Sequence, residues 1–83
     1  MKILYFAWLR ERLGRGEEDV SPPAEIATIA DLIGWLRARD EVADLAMQRP
    51  EIIRAAIDAK LVTHAATIAG ASTIALFPPM TGG

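Results

Sequence analysis

The sequence predicts an α+β roll, a mixed sheet of about five strands with helices packed on one of its faces. Three observations point to it. Apolar runs rich in β-branched and aromatic residues stand near both ends of the 83-residue chain, at Lys2–Trp8 and Thr73–Phe77, where such residues favour strands. One strongly amphipathic helix lies between them, beginning at Thr28. The excursion separating the two runs is long enough for a crossover, so as neighbours at the sheet centre they pair in parallel.

Lys2–Trp8 places Ile3 and Tyr5 on one side and Leu4, Phe6 and Trp8 on the other. A strand apolar on both faces is expected at the centre of a sheet covered on both sides. Leu9–Leu13 reads as one helical turn, ended by Gly14 and Gly16. Arg10, Arg12 and Arg15 fit a solvated face better than an acidic docking patch. Glu17, Glu18 and Asp19 suit a solvated turn or an edge strand, which tolerates charge. Pro22 and Pro23 prevent that strand from running on.

Thr28 and Asp31 form a capping-box-like start, the hydroxyl meeting orphan N–H groups and the acid favouring the positive helix end. Ile29, Leu32, Ile33 and Leu36 fall on a single apolar stripe, and Arg37 and Arg39 complement the helix C-terminus. Trp35 lies off the stripe and flanks the core rather than stacking on a ligand. A second short helix is expected at Val42–Met47, facing inward through Val42, Leu45 and Ala46 and closed by Pro50. Strands follow at Ile52–Ile57 and Leu61–Thr63, joined tightly by Asp58 and Ala59. Thr67–Ser72 is turn-rich, with Gly70 at its sharpest point. The last strand, Thr73–Phe77, sets Ile74 and Leu76 against Ala75 and Phe77. This order is that of the β-grasp architecture, with residues 1–77 as the domain and 78–83 as an extended tail.

Composition removes most kinds of chemistry. Without cysteine there is no disulfide framework, thiolate metal site or cysteine nucleophile, and one histidine cannot make a His-rich zinc site. A net charge of −2 without a clustered basic face argues against nucleic acid. Two arginines interrupt Met1–Leu13 where a signal peptide needs an apolar core. The charge-free run Leu61–Gly83 is too polar and too broken by proline and glycine to span a bilayer. The expectation is a cytoplasmic protein that uses neither nucleic acid nor membrane. His64 reads as structural or exposed rather than as a general base, and no pair of carboxylates can be assigned to one cleft.

What remains is the ending Pro78, Pro79, Met80, Thr81, Gly82, Gly83. The prolines end the ladder and stiffen an extended direction away from the domain. Thr81 prefers extended backbone, and Gly82 and Gly83 are thin enough for another protein's narrow channel. The group then presented is the α-carboxylate of Gly83. ATP can convert a carboxylate to an acyl-adenylate, from which a sulfur nucleophile displaces AMP to leave a thiocarboxylate.

The run Ile74–Gly83, with its Phe-Pro-Pro-x-x-Gly-Gly ending, resembles the C-terminus of the molybdopterin synthase small-subunit family of ubiquitin-like sulfur carriers. Ile3–Gly14, the helix start at Thr28 and Ala55–Val62 fit the same template in order. The resemblance implies that an E1-like adenylyltransferase uses ATP to activate Gly83, and that the carrier binds no cofactor or metal itself. It implies a heterotetramer with the large synthase subunit, into whose active site the tail inserts. Sulfur then passes to cyclic pyranopterin monophosphate to build the molybdopterin dithiolene. The carrier is not catalytic alone, and Phe6, Leu61 and Phe77 are the implied interface residues. Alternative destinations are thiamine thiazole synthesis, a ubiquitin-like protein modifier, or an interaction module with an incidental Gly-Gly. Three departures from the family pattern stand out: an uncharged Ala69–Thr73 where an acidic turn is usual, Asp58 for Asn, and Met80 for Val.

Overall fold

The computed structural model describes residues 1–79. Its strands are β1 (Lys2–Tyr5), β2 (Glu17–Asp19), β3 (Arg54–Ile57), β4 (Lys60–Val62) and β5 (Thr73–Phe77). Its helices are α1 (Ala7–Leu13), α2 (Ile29–Arg39) and α3 (Glu41–Ala46), with a 3-10 turn at Pro50–Ile52. The sheet order is β2-β1-β5-β3-β4. The two terminal strands sit at its centre and run parallel, pairing Ile3 with Ile74 and Tyr5 with Leu76. The other three pairings are antiparallel. Helices cover one face only. Ile3, Tyr5, Ile74, Leu76 and Ala55 are buried on that side, beneath Leu9, Ile29, Leu32, Ile33, Leu36 and Met47. This is the β-grasp fold that the element order implied.

Helix α2 forms as its sequence requires. Thr28 Oγ1 accepts from the Asp31 N–H at 3.2 Å, and the Asp31 carboxylate accepts from the N–H groups of Ala27 and Thr28. Those bonds to backbone hold the Asp31 carboxyl below its ordinary pKa. The loop before β5 completes the cap, since the Ala66 and His64 carbonyls accept from Ile29 and Ala30. Trp35 flanks the core and lies under the Arg39 guanidinium, 5.2 Å from the ring centre.

Three sequence expectations are corrected. The first strand ends at Tyr5, not Trp8, because Ala7 turns the chain at φ 55° and the apolar run continues as α1. Trp8 therefore sits one helical turn before Arg12, whose guanidinium stacks on it at 4.5 Å. The sheet is accordingly not covered on both sides. Helix α3 faces inward through Ala43 and Ala46, followed by Met47, leaving Val42 and Leu45 exposed. Asp40 fixes that phase by accepting from the Ala43 N–H at 2.7 Å. Finally, Ile52 belongs to the 3-10 turn rather than to the following strand, and β4 is an exposed edge beginning at Lys60.

Asp58 and Ala59 form a two-residue hairpin with φ of 46° and 73°, as a type I′ turn requires. The Asp58 carboxylate also accepts from the N–H groups of Ser72 and Thr73, tying the hairpin to the start of β5. Ala59 carries the steric cost of a left-handed conformation. Ala59→Gly is expected to raise stability by about 0.5–1 kcal/mol in denaturant melts, the relief of that strain exceeding the added freedom of the unfolded chain. A destabilised variant would show that the turn carries no such strain.

Glu18 ties β2 to the helices. Its carboxylate accepts from the Tyr5 hydroxyl at 2.6 Å and from Arg39 at 2.9 Å. The Arg15 Nε stands 3.2 Å away, an ion pair not aligned as a hydrogen bond. Burial opposes the Glu18 charge, but the bonds from Tyr5 and Arg39 and the nearby Arg15 outweigh it and hold the carboxyl below its ordinary pKa. Burial, reinforced by the Glu18 bond and charge, pushes the Tyr5 phenol far up, so it stays a donor. A carboxyl depressed in the folded state contributes stability above the unfolded pKa, about 4.3 for Glu, and loses it as pH falls through the folded value. Melting temperatures of the wild type and Glu18→Gln should therefore differ most near neutrality and converge below pH ~4. Curves that stay parallel across that range would contradict the linkage.

Candidate functional site

The strand registers decide what the uncovered face of the sheet presents. Ile3, Tyr5, Ile74 and Leu76 point toward the helices, so their neighbours point outward. Leu4 pairs with Ala75, Ala75 with Ala56, and Ala56 with Leu61, giving one apolar row across four strands. The alanines keep its middle shallow. Leu61 at its end is 72% exposed, and no element of the described chain lies over it. The next row pairs Phe77 with Arg54. On the far side the face is bounded by Lys2, Glu17 and Asp19, with Lys2 and Glu17 3.4 Å apart as a surface ion pair.

At the end of the two central strands this face deepens into an open hollow of about 740 Å³. Phe6, Trp8, Ile52, Phe77, Pro78 and Pro79 line it with Ala7, and none carries charge. Backbone pairing builds the spot, since the Phe6 N–H donates to the Leu76 carbonyl at 3.2 Å and so continues the parallel ladder. Phe6 then projects at 46% exposure beside the point where β5 gives way to Pro78. Pro78 is buried and Pro79 half-buried, so both pack on the domain. An adjoining crevice is lined by Ile52, Arg54, Leu61, His64 and Pro79 among others.

The structure thus brings Phe6 and Phe77 together with Pro78 and Pro79, and sets Leu61 in the neighbouring crevice, linked through Pro79. The sequence-expected Met80, Thr81, Gly82 and Gly83 lie outside the described residues. Leu4 and Ala75, which the sequence places on the faces of Phe6 and Phe77, join Ala56 in the same surface, although the sequence assigns none of the three to the site. The strict alternation of strand side chains could have found them once the parallel pairing was assumed. Trp8 and Ile52 were hidden by their assignment to strands.

The described residues that line the hollow are all apolar. No group of His, Cys, Asp and Glu residues able to hold a metal occurs among the described residues. His64 is engaged structurally, its Nε2 lying 2.6 Å from the Ile53 carbonyl oxygen, which can only accept. No helix of the described chain is long and apolar enough to cross a membrane. Exposed apolar surface of this kind marks interaction sites and binding grooves in general.

Comparison with known proteins agrees with this geometry. The ThiS family model matches residues 3–83. The chain is 30% identical to the molybdopterin synthase sulfur carrier subunit of Escherichia coli, over 100% of this chain and 99% of the relative. Among solved structures, SAMP1 of Haloferax volcanii superposes with a TM-score of 0.74 at 24% identity, covering 100% of this chain and 98% of that one. A Pyrococcus furiosus protein assigned as molybdopterin converting factor subunit 1 gives a TM-score of 0.73 at 24% identity, with 95% of both chains covered. These two share the fold. On the full-length family match, the chain belongs to the ThiS family, within the ubiquitin-like β-grasp sulfur carriers.

Proposed function

We propose that this protein is a carrier whose Gly83 carboxylate is activated and loaded with sulfur while a partner covers the bare sheet face. The observation that carries the reading is the placement of β5: a central strand running from the core directly into the Gly-Gly ending, beside an uncharged recess. In the loading step an oxygen of the Gly83 carboxylate attacks the α-phosphorus of ATP and pyrophosphate leaves. The terminal sulfur of a donor persulfide then attacks the acyl carbon and AMP leaves; a thiol reductant cleaves the S–S bond of the resulting acyl disulfide, which frees the thiocarboxylate and leaves the donor sulfur in a disulfide with that thiol. The ATP and the catalytic side chains belong to an E1-like adenylyltransferase. This chain contributes its carboxylate and a docking surface formed by Phe6, Leu61 and Phe77.

For the destination of the sulfur we favour molybdopterin synthase. Full-length identity to the E. coli sulfur carrier subunit supports it, as does the Phe-Pro-Pro-x-x-Gly-Gly ending. In that role Pro78 and Pro79, which line this chain's own hollow, lead the tail toward the large subunit of a heterotetramer, and its Gly-Gly end enters there. There the sulfur passes to cyclic pyranopterin monophosphate, and two transfers complete the dithiolene. The ThiS family match supports a second reading, in which the same carrier serves thiazole synthesis; a ubiquitin-like modifier joined to lysines is the remaining alternative.

Incubation with ATP, a persulfide donor, a thiol reductant and the adenylyltransferase from the same organism is expected to replace one terminal oxygen by sulfur in the intact mass. Removal of Gly83 should abolish the exchange, and an unaltered mass for the complete chain would overturn the carrier reading. Supplying the loaded carrier to the large subunit and cyclic pyranopterin monophosphate separates the destinations. Dithiolene formation is expected, whereas a loaded carrier that yields only thiazole would establish the second reading, and one that yields only lysine conjugates the remaining alternative. Phe77→Ala should weaken binding to the adenylyltransferase by about tenfold or more, as truncating an interface anchor does, while the chain stays folded by circular dichroism. Unaltered affinity would contradict docking through this face.

A further inference from the structure

Arg54 is the one charge in the row that borders the apolar strip on the side of the tail. It stands opposite Phe77 in the β3–β5 register, on the outer face, and it is exposed. Among the described residues it makes no ion pair; the nearby Glu51 is engaged with Arg49 at 3.6 Å. The crevice holding its side chain also contains Leu61, Thr63, His64 and Pro79. A partner that seals over Phe77 and Leu61 must therefore take water from the Arg54 guanidinium or leave it a way out. A buried guanidinium without a counter-charge is strongly destabilising, whereas a planar carboxylate can meet its fork of donors with two hydrogen bonds.

The opposite margin of the face has the reverse sign. Glu17 and Asp19 lie there on β2, with Lys2 neutralising only one of them. The docking face is thus apolar in the middle, cationic beside the tail and net anionic at the far edge. Such polarity distinguishes the two ways a partner could be laid along an otherwise featureless apolar row, because like charges brought together are costly.

We infer that the protein docking on this face carries a carboxylate that pairs with Arg54, and that this pair selects the partner and fixes its orientation. The inference rests on the proposed docking of the outer sheet face. It assigns a specificity residue within that face, separate from the apolar anchors.

The test measures affinity and association rate of the adenylyltransferase from the same organism for wild type, Arg54→Gln, Arg54→Glu, Arg54→Lys, Asp19→Asn and Phe77→Ala, at low and high salt. Arg54→Gln should bind about thirtyfold more weakly or worse, since it leaves a partner carboxylate unpaired. Arg54→Glu should be weaker still, and Arg54→Lys should keep most of the affinity. The salt dependence of association should flatten in Arg54→Gln. Asp19→Asn should act mainly on the association rate, as a rim charge does. Arg54 is exposed and makes no ion pair, so its variants should melt like the wild type. If Arg54→Gln and Arg54→Glu bind within about twofold of wild type while Phe77→Ala fails, the guanidinium escapes to solvent past Thr63 and the inference is overturned, with the docking face intact. If Phe77→Ala also binds normally, the docking face itself is wrong and the inference falls with it.

Discussion

The parallel pairing of the first and last strands is the constraint from which the rest of the structure follows. It sets Ile3 beside Ile74 and Tyr5 beside Leu76, the buried ridge on which α2 packs. It also fixes the outward row, because the alternation of a strand leaves no freedom once one face is buried. Extended by the Phe6 N–H to the Leu76 carbonyl, the same ladder brings Phe6 and Phe77 to one spot at the end of the sheet. Slipping β1 by one residue against β5 would turn Leu4 and Phe6 toward the helices and Ile3 and Tyr5 outward, destroying core and surface together.

The second consequence is asymmetry. All three helices lie on one side, so a small chain leaves an apolar sheet face open to solvent. Small monomers rarely keep such a surface without a use. Val42 and Leu45 on α3 form another exposed apolar pair, but the recess along that helix is lined instead by Arg37, Asp40, Glu41 and Asp44 and so is charged. The outer face adds a hollow and the exit of β5, while the charge-bearing elements, β2 and the ends of the helices, are occupied with one another through Glu18, Arg15, Arg39 and Asp40. Charges that stabilise the fold are in this way kept off the middle of the outer sheet face, while Arg54, which makes no ion pair among the described residues, stands at its border.

Much of this was legible in the sequence where a single physical rule dominates. The Thr28–Asp31 capping box, the Ile29-to-Leu36 stripe, the Gly14 stop and the Asp58-Ala59 turn are local, and the structure has each of them. The β1–β5 pairing was legible because a long excursion between apolar strands permits little else. Legibility failed where the rule was not local. No periodicity shows that Ala7 takes a positive φ and splits one apolar run into a strand and a helix. Nor could the weak spacing in α3 reveal that Asp40 sets a phase burying alanines and exposing leucine. The site was half legible: Phe6, Leu61 and Phe77 came from a family likeness, whereas Leu4, Ala56 and Ala75 needed the register.

The central claim is that the bare sheet face beside the end of β5, and no other surface, receives the activating partner. Backbone amide NMR of the labelled chain, titrated with the adenylyltransferase, tests it residue by residue. The account predicts shifts and broadening confined to β5, β3, β4 and the Phe6–Trp8 segment, with Val42 and Leu45 of α3 unaffected. Perturbations centred on α3 and the exposed side of α2, with the β3–β5 amides unmoved, would contradict it.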